Sequence, residues 1–328
     1  MILSLRILLS ALFVQLVFAY DQNKLPDDTI VVATDGSGHY YSIQDAINDL
    51  PPIALEERII YIKDGIYEEQ VTIQKDYVTL IGQNRDKVVI VGDLNNYKTG
   101  SSTECATVRI IANNFKAFDI TFQNTAPFPG PNSQAPALYV YGDKCFFNNC
   151  NFLSHRNTLL SYHGIHYFRN CFIRGVTDII WGFGRAGFEN CIIHVVGKDG
   201  KTGYVTANGN EDSNFEESGF LFFNSKIVAD EGITFYLGRL WKKYCYVIYN
   251  RTEILGLRLN SLGWKTFSGY EDYRNTARVG EYKCYGKSYS LANRVPYAKT
   301  FKDSEVPAIV DFLGGDLSFA VESQYYSK

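Results

Sequence analysis

The sequence predicts an all-β protein wound as a parallel β-helix, a solenoid of stacked coils. Three observations carry that expectation. Short runs rich in β-branched and aromatic residues follow one another with no long helix between them. A motif repeats: Phe147-Asn148-Asn149-Cys150-Asn151-Phe152, then Phe168-Arg169-Asn170-Cys171-Phe172-Ile173, then Phe188-Glu189-Asn190-Cys191-Ile192-Ile193, with a weaker copy at Phe223-Asn224-Ser225-Lys226-Ile227. Its period is short: Cys171 follows Cys150 by 21 residues, and Cys191 follows Cys171 by 20. Such a period, with several short strands in each repeat, marks a solenoid. Coils stacked at about 4.8 Å put Phe on Phe inside and Asn on Asn at the bends. A β-sandwich with chance similarity between segments is the competing architecture.

The elements follow in chain order. Residues 1–19 read as a secretory signal. Met1 to Leu5 leads through Arg6 into apolar Ile7 to Phe18, and Val17-Phe18-Ala19 offers a cleavage site. The run is short for a membrane span; a buried N-terminal helix is the alternative. Residues 20–328 then form one exported, soluble domain. Ile30-Val31-Val32-Ala33 is a strand, and Asp35-Gly36-Ser37-Gly38 a turn. Ser42 caps a helix in which Ile43, Ala46, Ile47 and Leu50 recur at helical spacing, and Pro51-Pro52 stops it. That helix is placed to cover the first coil. Strands follow at Ile59–Ile62, Val78–Ile81, Val88–Val91 and Phe118–Phe122. Pro127-Phe128-Pro129-Gly130-Pro131 is a stiff turn between coils. Residues 196–218 and 254–300 are richer in Gly, Asn, Ser and Lys and read as excursions that wall a groove.

Composition narrows the function. A chain 46% apolar and 15% aromatic has ample core, and a formal charge of −3 with no basic stripe argues against nucleic acid. An acidic substrate would be held by local Arg and Lys. The seven cysteines (Cys105, Cys145, Cys150, Cys171, Cys191, Cys245, Cys284) leave at least one unpaired within the chain, and none has zinc-site spacing. Among the five histidines only His163 and His166 are close, in a short polar turn. No metal is expected from these spacings. Asn250-Arg251-Thr252 is a glycosylation sequon.

One residue stands out chemically. Asp178 sits in the apolar run Gly175-Val176-Thr177-Asp178-Ile179-Ile180-Trp181-Gly182. A carboxylate there is costly to bury without a charged or hydrogen-bonding partner. Arg239, in Tyr236-Leu237-Gly238-Arg239-Leu240-Trp241, is framed the same way. The two are either the core of a site or a structural ion pair. No nucleophile-elbow serine and no phosphate-cradling loop occurs.

At these residues the chain resembles a known family. Asp119-Ile120-Thr121-Phe122-Gln123-Asn124-Thr125-Ala126, Gln134-Ala135-Pro136-Ala137-Leu138, Gly175-Val176-Thr177-Asp178, Val205-Thr206-Ala207 and Tyr236-Leu237-Gly238-Arg239 look like the plant pectinesterases (pectin methylesterases), in that family's order. The resemblance runs from about Ile30 past Trp264 and lacks the family's inhibitor-like pro-region. It implies a right-handed parallel β-helix and a substrate of methyl-esterified polygalacturonan in the cell wall. It implies Asp178 as a carboxylate nucleophile forming an acyl-enzyme without metal or cofactor, and Arg239 as the group that holds it ionised and oriented. It implies Gln134 as an oxyanion donor, Trp181 and Trp241 as aromatics lining the sugar groove, and a disulfide between Cys171 and Cys191. Trp181 and Trp241 as core aromatics, Gln134 as a backbone-satisfying residue, and a reduced cysteine column are the plainer readings. A proteinaceous pectinesterase inhibitor is an implied partner, and the protein is expected to be a monomer.

The departures carry equal weight. The family's Tyr-Gln-Asp-Thr-Leu block reads His155-Arg156-Asn157-Thr158-Leu159 here. Asn157 stands where the general acid belongs, and Arg156 where a second oxyanion glutamine belongs. Leu160 replaces a usual aromatic contact, Leu240 a usual Pro, and Gly182-Phe183-Gly184 the family's Gly-Asn-Ala. His155 is a conceivable replacement proton donor. Three functions therefore compete: an esterase with altered chemistry, a pectin- or partner-binding protein without turnover, and a different polysaccharide hydrolase or lyase. The last wants clustered carboxylates, and only Asp178 is evident.

Overall fold

A computed structural model describes residues 25–127, 132–197, 201–255, 258–287 and 289–321. The expected signal segment and most of the proline-rich turn lie outside the described residues.

The short β-branched runs become strands of three parallel sheets, one of eleven strands and two of eight. Each central coil contributes one strand to each sheet. Cys145–Asn148, Asn151–Leu153 and Leu159–His163 form one coil, and Ile165–Arg169, Phe172–Gly175 and Ile180–Gly182 form the next. The pairings between coils run in register: Phe147 with Phe168, Phe168 with Phe188, and Phe188 with Phe222. The sandwich alternative is thereby excluded, and the architecture is a parallel β-helix.

The interior is the expected column. Phe147, Phe168, Phe188, Phe222 and Tyr249 stack with ring centroids 4.8, 4.9, 4.7 and 4.5 Å apart. At the adjoining bend Asn149, Asn170, Asn190 and Asn224 adopt φ of 53, 56, 52 and 48°. Asparagine tolerates this left-handed conformation better than most residues, which explains why the repeat keeps it there.

The first coil is covered as expected. Ile43–Asp49 is helical, Ser42 accepts from the Asp45 N–H, and Ile43, Ala46 and Ile47 are buried. The Glu69 carboxylate accepts from the N–H groups of Ile43 and Gln44, at 2.8 and 2.9 Å. It meets orphan donors where a negative charge suits the helix dipole. Near the C-terminus, Phe312, Leu313 and Phe319 pack with Phe146, Tyr167 and Leu221 in a second apolar cluster.

One expectation is corrected. Cys171 and Cys191 are free thiols, not a disulfide. Each sulfur is directed at backbone carbonyls: Cys171 at those of Phe147 and Arg169, Cys191 at those of Phe168 and Glu189. They belong to the reduced interior column, and burial pushes the Cys191 thiol well up. Asn250, of the sequon, ends a buried strand and is 8% exposed. Among the described residues no helix is long and apolar enough to cross a membrane.

Candidate active site

One eight-stranded sheet carries the site. From one edge its strands are Val71–Ile73, Val108–Ile110, Leu138–Tyr141, Leu159–His163, Ile180–Gly182, Thr202–Asn208, Thr234–Leu240 and Trp264–Thr266. Parallel register stacks Tyr139 on Leu160, Leu160 on Trp181, and, further along, Arg239 on Lys265.

Asp178 lies in the turn just before Ile180–Gly182, with φ 49°. Asn157 occupies the same place one coil earlier, with φ 58°, and a bridge between Arg156 and Thr177 fixes the two side by side. Asp and Asn are the side chains that best accept this backbone. Asp178 is 6% exposed and Asn157 4%. The Asn157 N–H donates to the Thr177 carbonyl at 3.0 Å, and its own carbonyl accepts from Trp181 Nε1 at 3.1 Å. Asn157 Oδ1 is buried with no hydrogen-bond partner.

Arg239, 61 residues beyond Asp178, meets it directly. Its Nε donates to Asp178 Oδ1 at 2.7 Å and its Nη2 to Oδ2. This two-pronged geometry is the strongest carboxylate–guanidinium arrangement and fixes the orientation of both groups. The guanidinium is held between two rings, 4.6 Å from the Tyr204 centroid and 4.1 Å from that of Phe267. The pair is not sealed: the Arg239 side chain is 18% exposed and that of Asp178 8%.

Arg156 lies within electrostatic reach of both. Burial pushes its guanidinium below the usual range; the Asp178 carboxylate opposes that shift and Arg239 adds to it. Gln134 precedes the strand Leu138–Tyr141, and the Ala135 N–H next to it donates to the Arg156 carbonyl at 3.1 Å. Asn96 Nδ2 donates to Gln134 Oε1 at 3.0 Å, which leaves the NH2 as the donor of that side chain. His155 is exposed, unlike buried Asn157 two residues on.

An aromatic wall adjoins the pair. Trp181 and Trp241 are 5.5 Å apart, Trp241 and Phe183 4.9 Å, and Phe183 and Tyr162 5.5 Å. All four are partly exposed, so Trp181 and Trp241 are not core aromatics. Gly182 between Trp181 and Phe183 has φ 127°, and a Cβ there would come 1.9 Å from the Ser161 carbonyl oxygen. Only glycine fits this close crossing.

The structure thus brings Gln134, Arg156, Asn157, Asp178, Arg239, Trp181 and Trp241 to one face. Sequence reasoning missed Asn96, which orients Gln134, and Phe267, Tyr204 and Lys265 around Arg239. Phe183 was visible only as a departure from a motif. The excursion at 254–300 does supply a wall, through Phe267. Among the described residues no three His, Cys, Asp or Glu side chains gather as metal ligands.

The parallel β-helix thus bears a carboxylate–guanidinium pair beside a partly exposed aromatic surface. The family model for Pectinesterase matches residues 29–316. Putative pectinesterase 14 of Arabidopsis thaliana is 33% identical over 293 residues, 87% of this chain and 86% of its own. Pectin methylesterase from carrot superposes with a TM-score of 0.81 at 30% identity, covering 87% of this chain and 93% of that one. The enzyme from Aspergillus niger gives 0.78 at 28%, covering 89% and 95%. The chain belongs to the pectinesterase family of carboxylic ester hydrolases, and its coil is the right-handed parallel β-helix of those structures.

Proposed function

We propose that the protein removes methyl esters from polygalacturonan in the cell wall, releasing methanol, as a secreted single-domain esterase. The observation that carries this reading is the two-pronged hold of Arg239 on Asp178 beside the aromatic wall. Asp178 attacks the ester carbonyl carbon. The oxyanion that forms is met by the Gln134 NH2 and the Arg156 guanidinium. The bond to the methoxy oxygen then breaks, leaving an acyl-enzyme that water opens to regenerate Asp178. Trp181 and Trp241 supply the sugar platform. The leaving methoxy oxygen needs a proton. Asn157 can donate a hydrogen bond to it but cannot release a proton, so water must supply it and turnover is slow.

Methanol release from methyl-esterified polygalacturonan tests the proposal. Wild type should exceed Asp178→Asn, which keeps a side chain suited to the left-handed backbone while losing the nucleophile. Equal release from both rejects Asp178 as nucleophile, and no release from either rejects the esterase reading. A second reading is favoured by Asn157 standing at the acid position while both Asp178 oxygens are engaged: a pectin-binding protein without turnover. Its signature is retained pectin binding with no methanol. An inhibitor protein that covers the trough is the partner either reading allows.

A further inference from the structure

The groups around the Asp178–Arg239 pair are unbalanced in charge. Asp178 is the sole carboxylate at this point among the described residues, and both its oxygens are engaged by Arg239. Arg156 lies on the coil before it, close enough for Asp178 and Arg239 both to act on its guanidinium. Lys265 stands next to Arg239 on the following coil, exposed, with its Nζ 3.3 Å from the Tyr204 hydroxyl. Two guanidinium groups therefore act on one carboxylate, with the Lys265 ammonium beside Arg239, and the residue at the place equivalent to Asp178 one coil earlier is an uncharged asparagine. The other ion pairs near the trough are self-contained: Glu104 with Arg109, and Glu211 with Lys242.

A methyl ester and a free carboxylate differ in how they answer this field. The ester is neutral and accepts ordinary hydrogen bonds. The carboxylate accepts charge-assisted ones, roughly twice as strong, and a guanidinium suits its planar shape. The desolvated setting of Arg156 raises the contrast, because screening there is weak.

We infer that this trough is selective for the free carboxylate of galacturonate over its methyl ester, with Arg156 as the carboxylate contact and Lys265 as a supporting charge. The inference rests on the reading of the trough as a polygalacturonan site. On that reading the protein retains its own product, or holds already demethylated pectin.

Calorimetry with two probes tests it: hexagalacturonate, and the same oligomer with every carboxyl converted to the primary amide, which is neutral and not an ester. At low salt wild type should bind the acid about tenfold or more tighter than the amide, a ratio that contracts as salt screens the charges. Arg156→Gln should bring the ratio close to one, and Lys265→Gln should lower it by a smaller factor. Amide binding equal to or tighter than acid binding overturns the inference. So does a ratio that neither substitution moves, and so does failure of hexagalacturonate to bind at millimolar concentration. Should Arg156→Gln not fold, the exposed Lys265→Gln and the wild-type salt dependence decide the matter. Methanol release is read separately. Release without acid preference removes this inference and keeps the esterase, while acid preference without release does the reverse.

Discussion

At the scale of single residues, the proposed chemistry turns on two neighbouring turns with the same left-handed backbone. One holds Asp178 and the other Asn157. Because aspartate tolerates that conformation as well as asparagine does, Asn157→Asp should fold normally and restore a proton donor. A positioned acid contributes about 10² to 10⁴ in rate, so methanol release should rise by that order. An unchanged rate in Asn157→Asp would show that the proton is not limiting. His166 offers a second residue-scale test. It is fully buried, with Nδ1 2.7 Å from Ser161 Oγ and Nε2 2.9 Å from the Gly142 carbonyl. The carbonyl can only accept, so Nε2 carries the proton and Nδ1 accepts from the serine. Burial pushes the imidazole down to about 4 from 6.5, with the Gly142 contact opposing. The folded protein therefore holds His166 neutral where the unfolded chain would protonate it. That contribution is fully present above pH 6.5 and is lost as pH falls towards 4, on the order of 3 kcal/mol. Tm should drop across that window in wild type, and the drop should be shallower in His166→Gln, which cannot take up the proton. Parallel pH profiles for the two proteins would remove His166 as the cause.

At the scale of elements, the coil repeat is the unit of stability. Phe168 has no exposure and is stacked between Phe147 and Phe188 at 4.8 and 4.9 Å. Phe168→Ala should cost about 3–5 kcal/mol, since rigid coils on either side cannot collapse into the hole. Phe168→Leu should cost less, and urea denaturation reads both. A loss under about 1 kcal/mol for the alanine would mean the column relaxes. The interior of these elements was readable from residues because a strand's neighbours along the chain are its neighbours in the coil. The Phe and Asn columns, and the helix capped by Ser42, follow from local spacing alone. The fate of the cysteines did not. A cysteine at each rung is compatible with a bond or with thiols, and the direction of each sulfur, here towards carbonyls, depends on the packed backbone. The burial of Asn250 was hidden for a similar reason, because the three letters of a sequon do not say which face of a coil they occupy.

At the scale of the whole molecule, the solenoid makes stability additive along its axis, each coil resting on its neighbours. The central coils, from Leu138 to Asn250, are covered on both sides. The helix Ile43–Asp49 and the short strand Lys299–Thr300 lie at the two ends. Amide hydrogen exchange should therefore be slowest in the central coils and faster towards both ends. Uniform protection along the chain would instead point to one all-or-none unit. The trough lies against the central coils, so the candidate catalytic pair sits in the most protected part of the fold while its walls come from longer excursions.

By itself the sequence determined the coil and the composition of its interior, and through its family resemblance it named the candidate site residues: Gln134, Asp178, Arg239 and the altered Arg156-Asn157. Periodicity and motifs are properties of short stretches. Only the tertiary structure decided that Asp178 and Arg239 grip one another, that Asn96 donates to the Gln134 amide oxygen, and that Tyr162, Phe183 and Trp241 join Trp181 in one wall. The physical reason is that such meetings depend on how many residues each intervening coil and excursion consumes. That sum is carried by the stacking of all the coils and by no single segment.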